Sequence, residues 1–170
     1  MGYAAQGYRS CGAADGYAYR LGNVLVGNDP GAAVLECTLR GAALRFETDT
    51  VFALTGAESP AALDSTPVPY YAPLLAKAGS VLQMGAAKTG LRSYLAVGGG
   101  IATPPVLGSR ATDVKCGIGG LEGRKLTVGD TLPIGSCDTA ALWQASLPTG
   151  WTVLAGQGVC GGLHLMRVQG

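Results

Sequence analysis

The sequence is poor in the side chains on which metal sites and acid–base catalysis usually depend. Its 170 residues contain one histidine, His164, and none of its five cysteines stands in C-x-x-C spacing with another. A zinc site, which needs clustered thiols or imidazoles, therefore has no support, and no metal is expected. Charged residues make up 14% of the chain and give a net charge of +1. Because the arginines and lysines are scattered singly, no nucleic-acid partner is expected.

Long apolar runs are also missing. No stretch approaches the roughly 18 apolar residues of a membrane-spanning helix. The first residues, MGYAAQ, have neither the basic start nor the apolar run of a secretory signal. We therefore expect a cytoplasmic protein with reduced thiols and no membrane association. Hydrophobic residues still make up 48% of the chain, which is enough for a folded core.

One segment has the periodicity of an amphipathic helix. Between Asp15 and Val26, small and apolar residues recur at helical spacing. Asp15 is a suitable N-cap, since its carboxylate can accept hydrogen bonds from the N–H groups of the first turn. Gly27 and Asn28 can adopt positive φ and end the helix, and Pro30 prevents its continuation. The sequence thus predicts one short N-terminal helix.

Beyond this helix, short apolar or alternating segments are separated by glycine and proline, which indicates strands. The predicted strands are residues 33–39, 44–47, 51–54, 61–63, 80–84, 92–97, 125–128 and 131–134, with a shorter candidate at Val68. A tight turn at Gly129 and Asp130 joins the last two strands. Strands of this length and spacing predict a mainly β fold, either a barrel or a sandwich.

The glycine-rich stretch at residues 98–123 carries the best candidates for binding an anion. A loop of this length without periodicity is usually functional. Arg110 offers a planar guanidinium to a carboxylate or phosphate, and Ser109 and Thr112 add hydroxyl groups next to Asp113. The alternative is that Asp113 and the hydroxyls cap turns while Arg110 is solvated.

Further along this stretch, Gly119 and Gly120 precede Arg124. Backbone N–H groups at such glycines can approach a ligand oxyanion, with the arginine beside it. The alternative is a β-bulge with a surface arginine. The secondary candidates are polar residues nearer the N-terminus that also have structural explanations: Asp15 as a helix cap, Asn28 as a helix C-terminal residue, and Glu36 as a carboxylate paired with an arginine.

Two weak motifs bear on cofactors. Residues 156–161 match G-x-G-x-x-G after an apparent strand at 151–154, but the acidic residue expected about 20 positions later is absent. Residues 85–89, GAAKT, resemble half of a P-loop, and no helical pattern follows them. No cofactor is therefore assigned to this chain by motif.

A series of motifs, in a fixed order, resembles the biotin-dependent carboxyltransferase family. They are CGAAD (11–15), LGNVLVGN (21–28), AVLECT (33–38), ALTGA (53–57), SYLAVGGGI (93–101), PVLGSRATD (105–113), GIGGLEGR (117–124) and GDTLPIG (129–135). The resemblance implies a cyclophilin-like β-barrel subdomain over residues 1–135. Residues 136–170 form an unmatched tail, interpreted as the possible start of a second subdomain. The chain has roughly half the usual length of the family, and Cys11 replaces a small residue, often serine.

The family includes a subunit of 5-oxoprolinase, and the resemblance implies a component of an ATP-dependent complex that converts 5-oxoproline to glutamate. Its partners would be a homologous subunit and a lactam-utilisation subunit, its substrate a small amide or carboxylate, and ATP would enter through the complex. One alternative is the carboxyltransferase component of a biotin-dependent urea carboxylase. Another is a non-catalytic binding module that sequesters a partner subunit, as the antagonist of a sporulation-kinase inhibitor in this family does.

Overall fold

A computed structural model describes residues 12–137 and 164–169, and within them the chain forms one helix and ten antiparallel strands. These elements are α1 (Gly16–Leu25), β1 (Leu35–Thr38), β2 (Ala43–Phe46), β3 (Thr50–Gly56), β4 (Ala61–Leu63), β5 (Thr66–Pro67), β6 (Leu74–Ala76), β7 (Val81–Met84), β8 (Arg92–Val97), β9 (Thr131–Ile134) and β10 (His164–Gln169). Cys11, the apparent strand at 151–154 and the glycine motif at 156–161 lie outside the described residues. Within these residues, no helix has the length and apolar character needed to cross a bilayer.

The helix begins and ends where the sequence predicts. Asp15 is its N-cap, and its Oδ1 accepts hydrogen bonds from the backbone N–H groups of Tyr17 and Ala18, both at 3.0 Å. Gly27 follows with a φ of 71°. The helix packs closely on strand β3. A Cβ added to Gly22 would lie only 3.1 Å from the Thr55 hydroxyl oxygen, so glycine allows this close approach. The predicted helix is therefore confirmed, with its last turn ending at Leu25.

The ten strands form two sheets. The four-stranded sheet has the order β1-β8-β3-β6, and the six-stranded sheet has the order β5-β4-β7-β2-β10-β9. The main core contains side chains from both sheets, including Leu44 and Phe46 of β2 and Phe52 of β3. The rings of Phe46 and Phe52 stack with centroids 5.3 Å apart. Fully burying each ring contributes roughly 1.5–3 kcal/mol to stability.

Strand β3 is buried on both faces, and this explains its continuous apolar sequence. Phe52 and Leu54 belong to the main core, whereas Val51 and Ala53 pack with Val26 in a second cluster beside the helix. The four-stranded sheet thus has the helix on one side and the six-stranded sheet on the other. A strand covered on both faces shows no polar alternation. In β2, by contrast, Leu44 and Phe46 are buried and Arg45 between them is half-buried.

Three predicted strands, at residues 61–63, 92–97 and 131–134, match β4, β8 and β9 without a shift. The strands predicted at 33–39, 44–47, 51–54 and 80–84 match β1, β2, β3 and β7 within two residues at each end. The predicted strand at 125–128 is wrong. Arg124 donates two hydrogen bonds to Asp130, at 2.7 and 2.9 Å, and the Thr127 N–H donates to Asp130 Oδ2 at 2.7 Å. These bonds close the segment into a loop, so the partner of β9 is β10 rather than residues 125–128.

Parts of the strand assignment were not foreseen. Strands β5, β6 and β10 were not predicted, and Val68, a strand candidate, lies just after β5. The mainly β class with one helix is confirmed. The described strands form two separate sheets, so closure into a cyclophilin-like barrel stays a prediction, as does a subdomain boundary at residue 135.

A glycine crossing joins the two sheets where β8 and β9 end. Gly99, with a φ of 84°, lies so close to Gly135 that a Cβ on it would overlap the Gly135 carbonyl oxygen. The Gly135 N–H donates to the Gly100 carbonyl at 2.9 Å, and Ile101 then forms a bridge with Ile134. The chain can pass from one sheet to the other here because glycine provides both the positive φ and the close approach.

The glycine crossing predicts an unusually damaging substitution at residue 99. Gly99→Ala combines a strained φ with an overlap of backbone atoms, so we expect the free energy of unfolding to fall by about 3 kcal/mol or more. Gly79→Ala is the matched control, since Gly79 has a φ of 88° and nothing within 4 Å of an added Cβ. It should lose about 1 kcal/mol. Equal losses in urea denaturation of the two variants would contradict the steric explanation.

The Arg124–Asp130 pair predicts a pH dependence. The hydrogen bonds from the Arg124 guanidinium, followed by the one from the Thr127 N–H, hold the pKa of Asp130 well below its usual range. The carboxylate therefore stabilises the fold above its unfolded pKa of about 3.9, and this contribution is lost as the pH falls towards the folded value. Asp130→Asn should be less stable than wild type at pH 7, and the difference should shrink between about pH 4 and pH 2. A constant difference in the denaturation midpoint across this range would contradict the prediction.

Candidate functional site

The candidate residues lie on a long connection that starts at the glycine crossing, and we call residues 98–124 the 98–124 loop. Two isolated bridges organise it, Val106 with Ser109 and Asp113 with Ile118. The first bridge closes a tight turn, in which Leu107 and Gly108 have φ values of 51° and 72°. The segment from residue 104 to 110 is exposed throughout. The loop therefore presents this turn and Arg110 to solvent while its first residues remain fixed to the sheets.

Arg110 is attached to the loop by one of its nitrogen atoms. Its Nε donates to the Thr103 carbonyl oxygen at 2.8 Å. In the part of the chain that the structure describes, its two terminal nitrogens form no hydrogen bond or ion pair. Ser109 precedes it, and the Ser109 hydroxyl oxygen accepts a hydrogen bond from the Ala111 N–H at 3.1 Å. Arg110 is thus positioned by the backbone, and its two terminal nitrogens remain available as hydrogen-bond donors.

Asp113 caps a turn inside the loop. The residue is 9% exposed, and its Oδ1 accepts hydrogen bonds from the N–H groups of Lys115 and Cys116 at 3.0 and 3.1 Å. This is an Asx-type turn, in which the carboxylate replaces a backbone acceptor. The alternative explanation of Asp113, that its carboxylate caps a turn, therefore has direct geometric support. The same geometry fixes the direction in which the chain returns towards Ile118, its partner in the second bridge.

Gly119 and Gly120 are explained by close contacts within the loop. Both have positive φ, 73° and 54°. A Cβ on Gly119 would overlap the Ala111 carbonyl oxygen, and a Cβ on Gly120 would overlap the Thr112 hydroxyl oxygen. Glycine at these two positions therefore lets the second half of the loop pack onto residues 111 and 112, immediately after Arg110.

Arg124 is paired at the end of the loop, in contrast to Arg110. Its guanidinium binds Asp130 through two nitrogens and Glu122 through Nε at 3.0 Å. It also donates to the Lys125 carbonyl at 3.1 Å. These carboxylates raise the pKa of Arg124 above its usual range. Arg124 thus closes the loop next to β9, and its side chain is half-buried among acidic partners.

Two of the secondary candidates meet at Tyr94, beneath the start of the helix. Tyr94 is fully buried, and its Oη accepts a hydrogen bond from the Asp15 N–H at 2.8 Å. Glu36 accepts one from the Ala14 N–H at 2.9 Å and forms an ion pair with Arg92 at 3.4 Å. Burial, together with the nearby Glu36 carboxylate, raises the pKa of Tyr94 to about 12. This network attaches the N-terminal end of α1 to β1 and β8.

Asn28 lies at the glycine crossing rather than on the 98–124 loop surface. Its Nδ2 donates to the Val97 carbonyl at 2.8 Å and to Asn23 Oδ1 at 3.0 Å. Its Oδ1 accepts a hydrogen bond from the Gly99 N–H at 2.8 Å. Asn23 in turn donates to the Ala32 carbonyl at 2.8 Å. The two amides therefore hold the end of the helix against the start of the loop.

Sequence reasoning missed Thr103, which anchors Arg110. The signal available in the sequence is weak: one polar residue between apolar residues and two prolines, in Ile101 to Pro105. Thr103 is 2% exposed, and its Oγ1 has no hydrogen-bond partner in the described structure. The structure thus brings Ser109, Arg110 and Thr103 together at the base of the exposed turn.

Of the two weak cofactor motifs, only residues 85–89 lie in the part of the chain that the structure describes. Residues 85–89 follow β7 and lead through bends into β8, whereas a P-loop leads into a helix. Lys88 is held by a backbone hydrogen bond from its N–H to the Glu58 carbonyl at 2.9 Å. Across residues 12–137 and 164–169, no three histidine, cysteine, aspartate or glutamate side chains converge as metal ligands.

Comparison with curated proteins reveals close relatives. The chain is 53% identical over 134 residues to a 5-oxoprolinase subunit of Escherichia coli K12, a match that covers 79% of this chain and 43% of that protein. It is 39% identical over 132 residues to urea amidolyase of Saccharomyces cerevisiae, covering 78% of this chain and 7% of that protein. The chain thus spans less than half the length of these relatives.

Solved structures show the same fold. The crystal structure of the Kluyveromyces lactis urea amidolyase matches with a TM-score of 0.70 and 40% identity, covering 71% of this chain and 7% of that chain. The K. lactis urea carboxylase matches with the same TM-score and identity and with 11% of that chain covered. Residues 6–158 match the family described as carboxyltransferase domain, subdomain A and B. The resemblance found in the sequence motifs is confirmed, and the chain belongs to this carboxyltransferase domain family.

Proposed function

We propose that this chain is part of an ATP-dependent 5-oxoprolinase complex, which opens the lactam of 5-oxoproline to give glutamate. The observation that carries the proposal is the 53% identity to the E. coli 5-oxoprolinase subunit over 134 residues. In this assignment the chain works with a homologous partner subunit and a lactam-utilisation subunit in the cytoplasm, and the complex binds ATP. The two sheets would be the described part of a cyclophilin-like barrel.

Within such a complex, the 98–124 loop would bind the carboxylate of 5-oxoproline. Arg110 supports this role because it is exposed, anchored through Nε and left with two terminal nitrogens in a fork that matches a carboxylate. Ser109 supplies a neighbouring hydroxyl. The remaining candidates, Thr112, Asp113, Gly119, Gly120 and Arg124, would define the shape of the loop around Arg110.

A second candidate function is the carboxyltransferase component of a biotin-dependent urea carboxylase. The observation in its favour is the structural match to the K. lactis urea carboxylase, with a TM-score of 0.70. Biotin would then carry the carboxyl group that is transferred to urea. The donors of Arg110 fit such a carboxyl group as well as a substrate carboxylate, so partner proteins and substrate distinguish the two functions.

A reconstitution experiment separates the two functions. The chain is combined with candidate partner subunits, and loss of 5-oxoproline is measured with and without ATP. We expect ATP-dependent formation of glutamate when all subunits are present and none when this chain is omitted. Urea with a biotin carboxylase and a biotinylated carrier is the comparison reaction. Carboxylation of urea without turnover of 5-oxoproline would overturn the first proposal, and binding without turnover of either would favour a sequestering module.

Arg110 is the most informative residue to change in that assay. Arg110→Ala removes a charged hydrogen-bonding fork, so we expect KM for 5-oxoproline to rise about 10–100-fold. Arg110→Lys should recover part of the loss, since it keeps the charge without the fork. The matched control is Arg20→Ala, an exposed arginine on α1. If Arg110→Ala leaves KM at the wild-type value, Arg110 does not take part in substrate binding.

A further inference from the structure

One buried hydroxyl in the described structure is unexplained by the fold. Thr103 is 2% exposed, and among the described residues its Oγ1 has neither a hydrogen-bond partner nor contact with solvent. Buried hydroxyls are normally satisfied, as Thr55 illustrates: it is fully buried and donates to the Ala18 carbonyl at 2.8 Å. An unsatisfied hydroxyl destabilises a fold, and valine would fill the same space without this penalty. Thr103 therefore calls for an explanation other than packing.

The position of Thr103 next to Arg110 supplies such an explanation. The carbonyl oxygen of Thr103 is the acceptor that holds Arg110 Nε at 2.8 Å. Within one residue, the carbonyl and hydroxyl oxygens are no more than about 5 Å apart. The Thr103 hydroxyl therefore lies near the atom that anchors the Arg110 side chain. Thr103 also directly precedes the exposed segment 104–110, so the hydroxyl lies next to the surface that carries Arg110, and a ligand would reach it by displacing residues of that segment.

We propose that the Thr103 hydroxyl donates a hydrogen bond to the substrate carboxylate that Arg110 binds, so that the two residues form one carboxylate subsite. This inference rests on the proposed function and extends it from one residue to a defined pair. The pair combines a charged fork with a neutral donor that is shielded from water. A shielded donor favours ligands that can accept its hydrogen bond and disfavours analogues that lack the acceptor.

The test uses the reconstituted complex and two ligands that share a lactam ring. One is 5-oxoproline, and the other is 2-pyrrolidinone, which has no carboxylate. Thr103→Val removes the hydroxyl at constant shape, and Thr103→Ser keeps it. The matched control is Thr55→Val, which removes a buried hydroxyl that is already hydrogen-bonded. Calorimetry measures ligand affinity, and the thermal midpoint of each variant measures its stability.

We expect Thr103→Val to weaken 5-oxoproline binding about tenfold, the loss typical of one hydrogen bond to a charged group. Its affinity for 2-pyrrolidinone and its thermal midpoint should not fall, and Thr103→Ser should restore binding. Thr55→Val should show the opposite pattern, with a lower thermal midpoint and unchanged affinity. This reversed pair of effects would distinguish a ligand-binding hydroxyl from a structural one.

Two further results would overturn the inference. If wild type binds 5-oxoproline and Thr103→Val binds it equally well, the hydroxyl has no contact with the carboxylate, and an ordered internal water is its partner. If Thr103→Val lowers the thermal midpoint as Thr55→Val does, the hydroxyl is structural. A wild-type complex that fails to bind 5-oxoproline would instead overturn the proposed function itself.

Discussion

The close approach of Gly99 to Gly135 determines where the two sheets meet and where the 98–124 loop begins. No side chain fits between these two backbones, and Gly99 must also adopt a positive φ. Asn28 completes the junction by accepting a hydrogen bond from the Gly99 N–H and donating one to the Val97 carbonyl. The helix, the four-stranded sheet and the six-stranded sheet are therefore connected at one point, from which the loop leaves.

Beyond that junction, the loop is stabilised largely by contacts with itself. Asp113 caps a turn, Gly119 and Gly120 allow close packing on residues 111 and 112, and Arg124 closes the far end through Asp130. Because these contacts lie within residues 111–124 and Asp130, this half of the loop loses little further conformational entropy when a ligand binds. Arg110 differs from these residues, since in the described part of the chain its terminal nitrogens are not engaged in holding the loop.

The features that depend on local chemistry were predictable, and those that depend on distant partners were not. An N-cap and a glycine after the last turn specify the helix. The alternation of apolar and charged residues in β2 specifies which face of that strand is buried. Strand β10 was missed although the buried Met166 and Val168 alternate with the exposed Arg167; its partners, β2 and β9, become apparent only in the folded chain. In the site, Arg110 and Arg124 look equivalent in sequence, and the positions of Asp130 and Glu122 in the folded chain separate them. Thr103 could not be identified because burial without a partner is a property of the folded chain.

A carboxylate subsite built from Arg110 and Thr103 would also account for two activities among the relatives. Urea carries no carboxylate, but 5-oxoproline does, and so does biotin once it is carboxylated. A pair of donors that recognises the carboxylate would therefore serve both reactions without change, because it binds the group that they share. This pair would contact only the carboxylate and not the remainder of the ligand. Under the proposed function, other residues and the partner subunits then select between a lactam and urea.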